Sequence, residues 1–211
     1  MKNIPLFLFA KAPIAGQVKT RLQSHCSAAQ AADIAEILLE ESIKRATKSW
    51  PGEVFLSVWL DEQHQFIQTM LSRYSISLVQ QCAGDLGEKM QNTFMRADYP
   101  AAIMGCDAPH ITAETLSAAH SALLKGDSVI APSEDGGYYL IGLAHAAPAI
   151  FSGPKWGTEL VLQTTLENAA NIGLQLNQLE RLNDVDEWAD LLIAAESIKS
   201  LNNYLNKQGL L

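Results

Sequence analysis

The sequence predicts an α/β domain built on a doubly wound, mostly parallel sheet, and three observations predict it. Short apolar runs bounded by turn residues alternate with amphipathic helical stretches through the first two-thirds of the chain, the pattern of βαβ units. The first of those runs, Ile4 to Ala10, is continuously apolar, as strands covered on both faces are. At Ser128 to Leu143 a run, an Asp-Gly-Gly turn and a second run follow one another, which predicts an antiparallel hairpin beside the parallel strands. A chain of 211 residues suits a single domain, residues 1–211. It shows no internal repeat, low-complexity tract or linker.

After the first strand comes a loop, Lys11 to Thr20, broken by Pro13 and Gly16. Ser27 to about Lys48 is rich in alanine and carries Ile34, Ile37, Leu38 and Ile43 at helical spacing, so a long amphipathic helix is expected. Pro51-Gly52 ends it. Val54 to Leu60 reads as a second strand, Gln63 to Tyr74 as a helix with Phe66, Ile67, Met70 and Leu71 on one face, and Ile76 to Val79 as a short third strand. Gly84-Asp85-Leu86-Gly87 is a turn before a helix from Glu88 to Ala97.

Ala101 to Gly105 is a fourth apolar run, ending in Gly105-Cys106-Asp107-Ala108-Pro109. Thr112 then offers a cap for a helix running to Leu124. Ser128 to Ala131 and Tyr138 to Leu143 are the hairpin strands. Thr158 to Ala170 is read as a helix, Leu174 to Leu176 as a weak strand, Leu182 to Asp186 as a loop, and Trp188 to about Leu205 as one final helix.

Composition narrows the function classes. The net charge of −8 argues against a general nucleic-acid binder, which carries a basic face. The three cysteines, Cys26, Cys82 and Cys106, form no CxxC pair, so they read as free thiols of a reducing compartment, not as zinc or redox motifs. No apolar run reaches membrane-spanning length, and Met1-Lys2-Asn3 followed by a short apolar run lacks signal-peptide character. A cytoplasmic protein is expected. There is no G-x-S-x-G elbow, no HExxH, and no G-x-G-x-x-G after the first strand, which disfavours an α/β-hydrolase, a zincin and a Rossmann dehydrogenase.

Chemistry is expected where parallel strands end. The loop after the first strand holds Lys11, Lys19 and Arg21 together with Gly16, in a protein that is otherwise acidic. Charge-assisted donors and backbone N–H groups are what a phosphate needs. The loop is not a Walker A sequence, because Val18 precedes Lys19 where a glycine is required. Asp107 is either a metal ligand or a helix cap, and Thr112 weakens the second reading by offering its own hydroxyl. Mg²⁺ takes few carboxylates beside phosphate oxygens and water. Asp184 and Asp186 fall on one side of an extended backbone and are further metal candidates, although Asp186 also suits a cap of the last helix. Glu134 and Asp135 precede Gly136 and Gly137, which permit close approach of main chain to a ligand or simply make a hairpin turn. Gly84, Asp85 and Gly87 either present backbone groups to a nucleoside or connect a strand to a helix. Trp156 is a core residue or the wall of a pocket.

Taken in order, the motifs resemble a known family. Phe9-Ala10-Lys11-Ala12-Pro13 with Gly16 and Val18-Lys19-Thr20-Arg21-Leu22, Gly84 to Met90, Gly105 to Pro109, Glu134 to Leu143, Trp156-Gly157-Thr158 and Asp184-Val185-Asp186 resemble the blocks of the DUF2064 family, of glycosyltransferase-A or nucleotide-diphospho-sugar transferase-like fold. The resemblance runs from about Ile4 to Leu191. It implies a three-layer α/β/α domain and a metal-dependent transferase that takes a nucleoside triphosphate or nucleotide-sugar with Mg²⁺ or Mn²⁺ and a small-molecule acceptor. It implies that Lys11, Lys19 and Arg21 hold phosphates and that Asp107 occupies the metal position. Gly105-Cys106-Asp107 offers one acid where many glycosyltransferases of this fold offer two. Single-acid strand ends occur also in nucleotidyltransferase relatives such as the molybdenum-cofactor and phospholactate guanylyltransferases, whose basic loop this one resembles. Three readings follow: a glycosyltransferase-like enzyme with Glu134 or Asp135 as base, a nucleotidyltransferase, and a nucleotide- or sugar-phosphate-binding protein without turnover.

Overall fold

A computed structural model describes residues 3–211; Met1 and Lys2, part of the flank read above, lie outside them. Seven strands form one sheet: β1 (Leu6–Lys11), β2 (Val54–Trp59), β3 (Ser77–Gln80), β4 (Ala101–Gly105), β5 (Ser128–Pro132), β6 (Tyr138–Leu143) and β7 (Leu176–Gln178). The helices are α1 (Ala28–Ser49), α2 (Gln65–Tyr74), α3 (Leu86–Ala97), α4 (Ala113–Lys125), α5 (Val161–Asn171), α6 (Trp188–Ser197) and α7 (Lys199–Gln208), with short 3-10 turns at Thr20–Ser24 and Pro148–Phe151.

The strand order is β3-β2-β1-β4-β6-β5-β7. All neighbours are parallel except β6, which runs antiparallel to both β4 and β5. The expected hairpin therefore lies beside the parallel strands β3-β2-β1-β4, joined through its second strand β6, and β7 adds a further parallel strand on its outer side. This topology brings the carboxyl ends of β1, β2, β4 and β5 and the turn between β5 and β6 to one sheet edge, where open α/β sheets bind ligands.

Side chains alternate across the sheet and build a core on each face. Leu6, Leu8, Leu56, Ala102 and Met104 pack against α1, α2 and α4 through Ile43, Met70 and Leu116. Phe7, Ile103, Ile130 and Ile141 pack the other way, against Met90 and Phe94 of α3 and Leu162 of α5. The fold is three-layer α/β/α. The continuous apolar character of β1 and β4 follows from this two-sided burial.

A third cluster covers the outer side of α1 with Leu191, Ala194, Ala195, Ile198, Leu201 and Leu205. The single final helix expected there is two helices, with Ile198 extended between them at φ −100 and ψ 93. Ile198 is buried in the cluster. The apolar spacing stays helical through the break, which hides it from a periodicity reading. Helix α5 begins at Val161, three residues later than expected, because the Thr158 hydroxyl donates to the Lys155 carbonyl within a turn and does not cap the helix. Strand β7 lies two residues further along than expected, since the Leu174 amide still closes the end of α5 on Ala169.

Candidate functional site

Two adjoining cavities open at the carboxyl edge of the sheet, of about 370 Å³ and about 310 Å³, and Phe9, Asp107 and Asp186 line both. The smaller one is walled by the basic loop, with Lys11, Lys19 and Arg21. The larger one is apolar inside, with Leu86, Met90, Ile103, Tyr138 and Trp156, and acidic at its mouth, with Asp107, Asp135, Asp184 and Asp186.

The centre of the arrangement is Lys19. Its backbone adopts a left-handed conformation, φ 43 and ψ 42, at the start of the 3-10 turn, a region unfavourable for a residue with a Cβ. Its side chain is 9% exposed. The ammonium donates to Asp107 Oδ1, to the Val185 carbonyl at 2.7 Å and to Asp186 Oδ1 at 3.2 Å. Burial works against the charged lysine, but the Asp107 and Asp186 carboxylates outweigh it and hold its pKa above the ordinary lysine value. The Lys19 ammonium, expected to meet phosphate, is paired here with carboxylates and a carbonyl. Its partners are the two acids expected to hold a metal. Arg21 reaches Asp186 Oδ2 at 3.5 Å, largely exposed.

The main chain fixes these acids. The Val185 amide donates to the Asp107 carbonyl at 2.8 Å, which ties the segment before α6 to the end of β4. The Ser42 hydroxyl of α1 donates to the Cys106 carbonyl at 3.1 Å. Asp107 does not cap α4; Thr112 does, accepting from the Thr115 amide. Asp186 is not a cap either, because the reciprocal bonds at the start of α6 run between Glu187 and Asp190.

Asp184 is the odd member. Its Oδ1 is buried without a hydrogen-bond partner. Burial, joined by the charges of Asp135, Asp107 and Asp186 and opposed by Lys19, pushes its pKa up to about 7. It lines the larger cavity with Asp186, as alternation predicts, yet only Asp186 reaches the ammonium. Among the described residues no three His, Cys, Asp or Glu side chains converge tightly enough to hold a metal unaided.

The hairpin turn is organised by Asp135, whose Oδ1 accepts from the Ser133 hydroxyl at 2.5 Å and the Gly137 amide at 2.9 Å. Glu134 is exposed and lines neither cavity; its amide pairs with the Leu182 carbonyl at 3.0 Å. Of the proposed base pair, only Asp135 faces the site. Gly136 makes a close approach, but to the chain itself: at φ 86, a Cβ there would lie 2.1 Å from the Glu159 carbonyl oxygen. Its own carbonyl accepts from the Leu162 amide at 2.9 Å, satisfying a first-turn amide of α5. Gly137 lines the larger cavity.

Gly16, Gly84, Asp85 and Gly87 line neither cavity. The Asp85 carboxylate accepts from the Glu88 amide at 2.9 Å while Glu88 accepts from the Asp85 amide at 2.8 Å, a capping box that the spacing Asp85-Leu86-Gly87-Glu88 already spelled. Gly87 is where the Trp156 ring seats: a Cβ would meet it at 2.6 Å. Trp156 is thereby fixed as a cavity wall.

Lys89 is the functional candidate that sequence reasoning passed over. Its ammonium stands 3.4 Å from the centroid of the Trp59 ring, and Trp59 is the strand partner of Lys11. Burial pulls the Lys89 pKa down, and the charge of Lys11 adds to that. Among the described residues neither Lys11 nor Lys89 forms an ion pair. Lys11 lines the smaller cavity and Lys89, which lines neither, lies near enough for the two charges to be felt, so the basic side extends beyond the cavity wall. The signal was the lone lysine in Gly-Glu-Lys-Met, masked by its place in a helix. No helix among the described residues is long and apolar enough to cross a membrane.

The fold is shared with known structures. Over all of this chain and 97% of the other, the fold is similar to a crystal structure from Desulfovibrio desulfuricans G20 provisionally assigned as a nucleotide-diphospho-sugar transferase, with 26% identity and a TM-score of 0.87. A cytidylyltransferase from Leptospira borgpetersenii serovar Hardjo-bovis shares the fold at 10% identity and TM-score 0.60, over 99% of this chain and 96% of that one. Rv0371c of Mycobacterium tuberculosis H37Rv, solved as a complex with manganese, shares it at 14% identity and TM-score 0.55, over 93% and 100%. The fold is thus that of the nucleotide-diphospho-sugar transferases. No curated protein matches the chain. Residues 42–158 match the model of a family described as an uncharacterized protein conserved in bacteria, DUF2064, and the chain belongs to that family.

Proposed function

We propose that this chain is a metal-dependent transferase that binds a nucleotide or nucleotide-sugar across the two cavities and delivers part of it to a small-molecule acceptor. The observation that carries the reading is the division of charge across Asp107 and Asp186: cations on one side, an apolar cavity with an acidic mouth on the other. Phosphates belong on the basic side, where Lys11 and Arg21 line the cavity as charged donors, with Lys89 near Lys11. The uncharged part of a substrate belongs against Trp156, Tyr138 and Met90.

The residues present fit a divalent ion of the Mg²⁺ or Mn²⁺ type. Such ions take one or two carboxylates and complete their shell with phosphate oxygens and water, and the unpartnered Oδ1 of Asp184 adds an acceptor beside Asp107 and Asp186. Asp107 and Asp186 would hold the ion, with Asp184 next to them. Bound there, a divalent ion neutralises charge on phosphate oxygens. Asp135 faces the acceptor side and is the group to receive a proton from an acceptor hydroxyl. Its Oδ1 is committed to the turn, which fixes the carboxylate's orientation and leaves Oδ2 for the substrate. The apolar cavity excludes water from the reacting end.

A second reading, nucleotidyl transfer from a nucleoside triphosphate, is supported by the likeness of the fold to a cytidylyltransferase and by a cluster of cations, Lys11, Lys19 and Arg21, along the smaller cavity. The test is product analysis with Mg²⁺ present. Release of a nucleoside diphosphate from a nucleotide-sugar supports glycosyl transfer, and release of pyrophosphate from a triphosphate supports nucleotidyl transfer. Either product must disappear in Asp107→Asn. Tight binding without either product would mean a binding protein and would overturn the proposal.

A further inference from the structure

The ammonium of Lys19 has three protons and, in this fold, three oxygen acceptors on two segments distant in sequence: Asp107, the Val185 carbonyl and Asp186. An ammonium has no further donor to offer. A phosphate oxygen arriving in the smaller cavity finds Lys19 already saturated, although Lys19 lines that cavity. The cost of this arrangement is visible: a left-handed backbone at a non-glycine residue and a buried charge.

We infer that Lys19 is the resident cation of the Asp107–Asp186 pair, and that a divalent metal binds there by displacing the ammonium, which then turns to the phosphates of the nucleotide. The inference rests on the metal-dependent reading above. Asp107 and Asp186 each line both cavities, so the pair lies where a cation could arrive from the substrate side. The metal and the ammonium need the same negative charge. Even an ion held on the outer carboxylate oxygens would lie within a few ångströms of a like charge and be repelled. Once the exchange is made, the released ammonium is in the cavity that Lys11 and Arg21 also line. Charge then follows function: the dication takes the carboxylates and the lysine takes the phosphate. Metal and nucleotide would thus be coupled through one side chain, each raising affinity for the other by the same factor.

The test is Mn²⁺ binding by electron paramagnetic resonance, which reads free Mn²⁺ directly, on the wild type and on Lys19→Met, each with and without a nucleoside triphosphate. Lys19→Met should bind Mn²⁺ alone about tenfold tighter than the wild type. The tightening that nucleotide produces in the wild type should shrink in the variant. Equal or weaker Mn²⁺ binding by Lys19→Met would overturn the inference while leaving the metal reading intact. Absence of Mn²⁺ binding in both proteins would overturn the metal reading, and this inference with it. A measurement on the unaltered protein guards against a folding defect in the variant. Acetylation of lysines by acetic anhydride, read by mass spectrometry, should label Lys19 severalfold faster once Mn²⁺ is bound. Unchanged labelling with Mn²⁺ bound would refute the displacement.

Discussion

Replacing Asp184 by asparagine should stabilise the protein above neutral pH and do almost nothing near pH 4. Asp184 has a buried oxygen without a partner and three acidic neighbours, and its carboxyl is pushed from 3.8 up to about 7. The sign follows from linkage. Between these values the unfolded chain has lost the proton that the folded protein still holds, so stability falls as pH rises from about 4 to about 7. The whole interval corresponds to about 4 kcal/mol. Solvent access at the cavity mouth and relaxation around the carboxylate reduce the realised part to about 2 kcal/mol. The asparagine side chain is neutral throughout and of equal size, so the variant escapes that loss. The assay is urea unfolding of both proteins at about pH 4, near the unfolded carboxyl value, and about pH 8, where the double difference cancels every other titrating group. A gain of about 2 kcal/mol for Asp184→Asn at the higher pH and near zero at the lower is expected. An equal effect at both, or a less stable variant at the higher pH, would refute the electrostatic account of this cluster.

Three further outcomes follow from the geometry. Gly136→Ala should cost about 2–4 kcal/mol in thermal unfolding, from a left-handed φ and a Cβ driven into the Glu159 main chain; a change below about 0.5 kcal/mol would mean that the turn shifts freely. Lys11→Ala and Lys89→Ala should each weaken nucleoside triphosphate binding by about 1.5–3 kcal/mol if they make charged hydrogen bonds to phosphate, seen by titration calorimetry, and undiminished affinity in both would return them to the solvated surface. Ser27→Ala removes the side-chain cap of α1 and should lower stability by about 1 kcal/mol without altering ligand affinity, which makes it a control for the site variants.

The sheet edge was legible because its grammar is local. Each strand ends in a breaker, as at Gly105-Cys106-Asp107, and a parallel sheet sends all such ends to one side. The insertion of β6 between β4 and β5 was not legible, since a hairpin has the same local pattern whether it lies at an edge or inside. The break at Ile198 was hidden by an apolar spacing that keeps helical phase across it. Lys19 is the sharpest case. A lysine in a glycine-containing loop after a buried strand has one sequence signature whether it faces phosphate or carboxylates, and its partner Asp107 is 88 positions away. By contrast Asp85-Leu86-Gly87-Glu88 carried its capping role in the open, and the connection between strand and helix is the alternative that this capping box fills. Lys89 drew no role because only the fold sets it beside Trp59 and Lys11.

The most direct test is calorimetric titration of the protein with nucleoside triphosphates and nucleotide-sugars, with and without Mg²⁺, in the wild type and in Asp107→Asn. A ligand whose binding strengthens at least about tenfold with Mg²⁺, and loses that gain when Asp107 is neutralised, is the predicted result. Binding that is indifferent both to the metal and to Asp107 would contradict it.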